Sequence, residues 1–178
     1  MTATLQTQAG PAERRADPQT SRVEPASASP DVTVRETDDR GKGVFALRAF
    51  APGERVARGR AIAPSPTRTR HSLQMDWSRH VLFDEPGRLI NHSCDPNTGV
   101  RDNDVGGYDF IALRPIAEGE EISFDYATTE YESIAVEQCL CGAKTCRGRS
   151  GGYSFLPSDH PAKVAGLIAG YILRGDAR

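Results

Sequence analysis

From Val32 onward, turn-forming clusters interrupt the chain at intervals of about 8–12 residues, which leaves room only for short strands. Asp38-Asp39-Arg40-Gly41-Lys42-Gly43, Ala51-Pro52-Gly53-Glu54 and Asp102-Asn103-Asp104-Val105-Gly106-Gly107 carry the Gly, Pro and Asx residues that tight turns require. Pro115-Ile116-Ala117-Glu118-Gly119-Glu120-Glu121 is another. Residues 32–37 alternate apolar and polar, and residues 44–47 are apolar, so the two predict a hairpin. Residues 55–57, 72–76, 80–83, 108–114 and 122–126 read as further strands, and the Pro- and Thr-rich residues 61–70 read as loop. The fold class expected is mainly β. A helix closes the chain: Val164, Leu167, Ile168, Tyr171 and Ile172 share one face, Ser158 or Asp159 caps it, and Pro161 sits in its first turn.

Residues 1–31 contain no aromatic residue and are rich in Ala, Pro, Ser and Thr. Such a stretch buries too little apolar surface to offset its ordering entropy, so a disordered tail is expected there. No basic-then-apolar leader opens the sequence, and its longest apolar run, residues 164–173, is half of the roughly 20 residues a membrane span needs. The reading is a cytoplasmic chain with no membrane partner. A formal net charge of −2 gives no basic field, so direct nucleic-acid binding is not expected either.

Chemistry concentrates in a few places. Arg88-Leu89-Ile90-Asn91-His92-Ser93-Cys94-Asp95-Pro96-Asn97 puts an amide, an imidazole, a hydroxyl and a thiol directly after two apolar residues and then turns. The bland reading is a strand entering a satisfied polar turn. In Cys139-Leu140-Cys141-Gly142-Ala143-Lys144-Thr145-Cys146, two thiols lie two residues apart and a third five further on, the spacing of a tetrahedral zinc site. Cys94 is the fourth and last cysteine, so a site of Cys94, Cys139, Cys141 and Cys146 would use every thiol in the chain. The alternatives are unrelated free thiols or a disulfide, the latter disfavoured in a cytoplasmic chain. Gly41-Lys42-Gly43 could let a backbone approach a ligand closely, or could simply be a hairpin turn; lacking a third glycine and a following helix, it is no dinucleotide fingerprint. Phe124-Asp125-Tyr126 closes a strand beside a loop.

In this order and spacing, Gly41 to Ala46, Arg88 to Asn97, Glu120 to Tyr126 and Cys139 to Gly148 resemble the motifs of the SET-domain protein-lysine methyltransferases with a post-SET zinc segment. The resemblance covers residues 32–150. It implies small β-sheets around a pseudoknot, in which the Asn-His-Ser-Cys run and the strand ending in Asp-Tyr thread together. Residues 32–130 would be the SET domain, 131–150 the post-SET segment, and 151–178 an extension carrying the helix. It implies S-adenosylmethionine held by the backbone of Gly41, Lys42, Gly43 and Val44 and by Arg88, Asn91, His92, Tyr126 and Leu140. Tyr126 would be the catalytic tyrosine, Phe124 would limit the number of methyls, zinc would be structural, and the partner would be a protein bearing the acceptor lysine.

Three departures stand out. No cysteine precedes Cys94, the insert before His71 is very short, and no tyrosine precedes Tyr108, although many members carry a second active-site tyrosine where His71 or Ser72 lies here. The rival readings are a methyltransferase of a small amine or peptide and a catalytically silent SET-like binding module.

Overall fold

Ten short strands follow one another from Val32–Glu36 (β1) and Lys42–Ala46 (β2) through Arg55–Arg58 (β3), Ala61–Pro64 (β4), Ser72–Asp76 (β5), Arg79–Phe83 (β6), Asn91–His92 (β7), Thr98–Asp102 (β8) and Tyr108–Ala112 (β9) to Glu121–Phe124 (β10). The computed structural model describes residues 29–175. Most of the expected tail, residues 1–28, lies outside the described residues. Its last members are bonded to the domain: Ser29 Oγ accepts from the Arg58 amide at 3.2 Å, and Asp31 pairs with Arg48 at 3.1 Å.

Strand β10 organises the larger sheet, ordered β1-β2-β10-β8-β9-β3 with β7 beside β10. It runs antiparallel to β2, with Ile122 opposite Val44. It runs parallel to β7, with Ser123 opposite Asn91 and Phe124 opposite His92, and parallel to β8, with Phe124 opposite Thr98. The strand therefore lies between the two ends of the 93–97 turn, the threaded arrangement that the motifs implied. Asn97, 1% exposed, fixes it there. Its amide donates to the Glu121 carbonyl at 2.7 Å, and its carbonyl accepts from the Ser123 amide at 2.8 Å. A buried side-chain amide is stable only when its groups are paired, and here strand β10 supplies the partners.

Val44, Phe83, Val100, Tyr108, Phe110 and Ile122 are fully buried at the centre. Each side chain of this size contributes about 1.5–3 kcal/mol by leaving water. The smaller sheet, β4-β6-β5, is tied to this core by the Tyr108 hydroxyl, which donates to the Gln74 carbonyl at 2.5 Å.

The structure departs from the sequence reading in three places. Residues 61–64 form strand β4 rather than loop, paired with β6 although Pro64 ends it. Strand β8 was not foreseen. The expected single helix is two, Pro161–Val164 (α1) and Gly170–Arg174 (α2). Gly166 breaks it by turning left-handed at φ +66, and Leu167 then accepts from the Val100 amide of β8 at 3.1 Å. The cap of α1 is His160, whose Nδ1 accepts from the Ala162 amide at 3.3 Å, not Ser158 or Asp159. Val164 is 76% exposed, while Ile168, Tyr171 and Ile172 of the same expected face are buried.

Candidate active site

A cleft of about 730 Å³ opens where three distant segments meet: the 39–42 turn, the 88–92 run and residues 135–141. That volume lies in the range of small-molecule sites. Gly41, at φ +71, turns the first segment into the cleft. Behind it, Gly43 leaves no room for a side chain: a Cβ would stand 2.7 Å from Glu121 Oε1 and 3.1 Å from Asn91 Nδ2. Those two groups hold the wall. Asn91 Nδ2 donates to the Lys42 carbonyl at 3.1 Å and to Glu121 Oε1 at 2.9 Å, and Arg40 Nη2 pairs with Glu121 Oε2 at 2.8 Å. The base of the turn is thus preorganised by one carboxylate.

Of the residues expected to bind a cofactor, Gly41, Lys42, Arg88, Asn91, His92, Tyr126 and Leu140 line this cleft. Gly43 packs beneath it. The Val44 side chain is fully buried in the core, so only its backbone, paired with Val34 and Ile122, belongs to this wall.

A second, narrow cavity of about 20 Å³, the space of one water, continues from the cleft. Leu73, Ile90 and Phe124 line it together with the charged Arg70, Arg88 and Glu130, and Tyr126 lines both spaces. The Tyr126 hydroxyl donates to the Ile90 carbonyl at 3.1 Å. Burial, then the nearby Glu130 carboxylate, holds this phenol well above its usual range, so it remains a hydrogen-bond donor. The Phe124 ring packs 4.8 Å from the Tyr126 ring and edge-on to Phe110 at 5.2 Å, which fixes it in the cavity wall. His71 and Ser72 also line this space.

The sulfurs of Cys94, Cys139, Cys141 and Cys146 lie within 4.8 Å of one another. Four thiolates on a tetrahedral zinc stand about 3.8 Å apart, from a metal–sulfur bond of about 2.3 Å; Cys94 and Cys139 are 3.9 Å apart here. The surroundings fit bound thiolates. The Arg147 amide donates to Cys94 Sγ and the Gly148 amide to Cys146 Sγ, each at 3.4 Å. Burial pushes the Cys94 thiol up to about 11, so a cation is what would let it ionise.

His92 joins this cluster to the cleft. Burial lowers it to about 4, so its imidazole is neutral. Nδ1 accepts from the Tyr126 amide at 3.2 Å, which leaves the proton on Nε2, 3.4 Å from Cys94 Sγ. Beneath lies Asp125, fully buried, a residue the sequence reading did not single out. Its Oδ2 meets Arg147 Nη2 at 2.5 Å and His160 Nε2 at 3.3 Å. Burial alone would raise Asp125, but His160, His92 and Arg147 together hold it below the usual carboxylate range. One carboxylate therefore ties together the central run, the cysteine segment and the C-terminal extension. Its place inside Phe124-Asp125-Tyr126 was visible; its partners, 22 and 35 residues further along, were not.

The SET domain family profile matches residues 41–127. The chain is 34% identical over 139 residues to the histone-lysine N-methyltransferase Set2 of Drosophila melanogaster, covering 67% of this chain and 6% of that protein. It belongs to the SET-domain family. An H3 lysine-36 specific histone-lysine N-methyltransferase of Yarrowia lipolytica is 39% identical over 157 residues, covering 77% of this SET chain and 20% of the relative. The chain thus spans a fifth or less of the length of these two relatives. The fold is shared with the methyltransferase domain of human histone-lysine N-methyltransferase SETMAR, at a TM-score of 0.51 and 20% identity over 68% of this chain and 58% of that one. KRYPTONITE, solved in complex with mCHG DNA and SAH, gives a TM-score of 0.53 at 22% identity over 66% of this chain and 28% of that one.

Proposed function

We propose that this SET domain transfers methyl groups from S-adenosylmethionine to the ε-amine of a lysine on a protein substrate. The observation that carries the reading is Tyr126, which lines a cofactor-sized cleft on one side and a narrow cavity on the other. When bound, the cofactor supplies an electrophilic methyl group, and the chain's task becomes one of alignment.

The backbone of Gly41 to Val44, with Asn91 and Arg88, receives the amino-acid end of the cofactor. His92 and Leu140 receive the adenine end, in keeping with the family motifs. The acceptor amine enters the narrow cavity lined by Leu73, Ile90 and Phe124. The protonated Tyr126 hydroxyl and the Ile90 carbonyl orient the amine without acting as strong bases. Phe124 sets how many methyls fit.

Residues 131–150 act as a post-SET segment, with Cys94, Cys139, Cys141 and Cys146 holding one structural zinc. No catalytic step needs the metal. Four reduced thiols suit a cytoplasmic setting, and no helix among the described residues is long and apolar enough to cross a membrane. The acceptor is a protein rather than a nucleic acid, consistent with the net charge of −2.

Radiolabelled S-adenosylmethionine incubated with the protein and a cell lysate tests the reading. The expected label lies on lysine in protein. Label confined to small amines would favour the rival acceptor, and cofactor binding without any transfer would favour a silent module.

A further inference from the structure

Glu130 has no role in the reading above, yet its position is unusual. It follows the 3-10 turn of Tyr126–Thr128 and is only 3% exposed. It lines the same narrow cavity as Ile90, Phe124 and Tyr126. Its Oε2 accepts no hydrogen bond, and the Arg68 guanidinium stands 3.6 Å away, beyond hydrogen-bond reach. A carboxylate kept this far from water and this poorly paired is costly. Burial pushes its carboxyl above the usual range, and the Ser133 hydroxyl and Arg68 only partly offset that.

The backbone around Glu130 is fixed. Three successive carbonyls each accept a donor from the C-terminal extension: Thr128 from the Ala169 amide at 2.9 Å, Thr129 from the Tyr171 hydroxyl at 2.9 Å, and Glu130 from the Tyr153 amide at 2.8 Å. This row holds in place the backbone that carries the Glu130 carboxylate into the cavity.

We propose that Glu130 is the anionic recognition residue of the acceptor channel. It pairs with the acceptor's primary amine. The proposal rests on reading this cavity as the acceptor channel. Its chemistry is that of a half-paired buried anion: an arriving cation restores the missing partner, and a neutral group of equal size does not. The acceptor class is therefore a primary amine on an alkyl stem.

The test needs no identified substrate. Three adenosyl ligands are compared by calorimetry on the full chain: S-adenosylhomocysteine, an analogue whose transferable methyl is replaced by an aminoethyl arm, and its isosteric propyl-arm counterpart. Wild type should prefer the amine arm. Glu130→Gln keeps the shape and should reduce that preference about tenfold, with S-adenosylhomocysteine and the propyl arm bound as before. Arg68→Gln removes the competing cation and should widen the preference. A merely structural Arg68–Glu130 pair predicts lower stability with an unchanged preference in both variants, and that result would overturn the proposal. If wild type binds none of the three, the cofactor reading fails and this proposal with it.

Discussion

Strand β10 with its 3-10 turn, and the cysteine segment at 139–148, wall the same cleft but are held by different forces. Strand β10 has backbone partners on both edges, and Ile122 and Phe124 are at most 3% exposed. Residues 139–148 carry no helix or strand; Leu140 is 49% exposed and Cys146 lies open. Besides the thiols, a few bonds hold them, among them Cys139 N–H to the Gly148 carbonyl at 2.8 Å and Arg147 to Asp125. One wall is a product of folding and the other of four converging sulfurs. The second can therefore loosen while the first stays folded.

The largest expected effect breaks the first wall. Ile122→Ala should cost about 2–5 kcal/mol of global stability by opening a cavity in the core, read from the denaturant midpoint. The next effect should be confined to the second wall. Cys146→Ser, or metal chelation, should speed hydrogen exchange across 139–148 and weaken S-adenosylmethionine binding about thirtyfold, roughly 2 kcal/mol. The denaturant midpoint should barely move; a fall as large as that of Ile122→Ala would merge the two walls into one cooperative unit. Elemental analysis should find one zinc per chain. A smaller effect belongs to the rigid side: Asn91→Ala should weaken cofactor binding by about 1–2 kcal/mol, with hydrogen exchange at 139–148 unaltered.

The rigid wall was also the more legible in the sequence. Alternation and turn residues mark β1, β2, β5 and β6, and the aromatic and β-branched run of residues 108–112 between two turns marks β9, which is buried along its whole length. They do not mark β8, whose Thr98-Gly99-Val100 start is buried on both sides, or β4, whose Ala61-Ile62-Ala63-Pro64 looks like loop until β6 pairs with it. Periodicity also overreached at the C-terminus, since a helical face says nothing of a left-handed Gly166. Within the site, the motif residues were readable through the family resemblance. Asp125's partners Arg147 and His160 were not, because ion pairs between segments leave no local pattern. Glu130 was missed for the same reason: the segment that carries it is held by hydrogen bonds from residues 153–171, far along the chain.

The central claim is that Tyr126, at the junction of cleft and cavity, aligns the acceptor amine. Single-turnover transfer of labelled methyl to lysine, followed from pH 7 to about 10 in wild type and Tyr126→Phe, tests it most directly. The Tyr126 hydroxyl is held above its usual range, so it stays protonated throughout. The wild-type rate should therefore climb with pH as the acceptor amine loses its proton. Tyr126→Phe should lower the whole curve about tenfold without shifting it, the loss of one hydrogen bond, while cofactor affinity is unchanged. A wild type that transfers no methyl, or a Tyr126→Phe enzyme with the wild-type rate at every pH, would contradict the account.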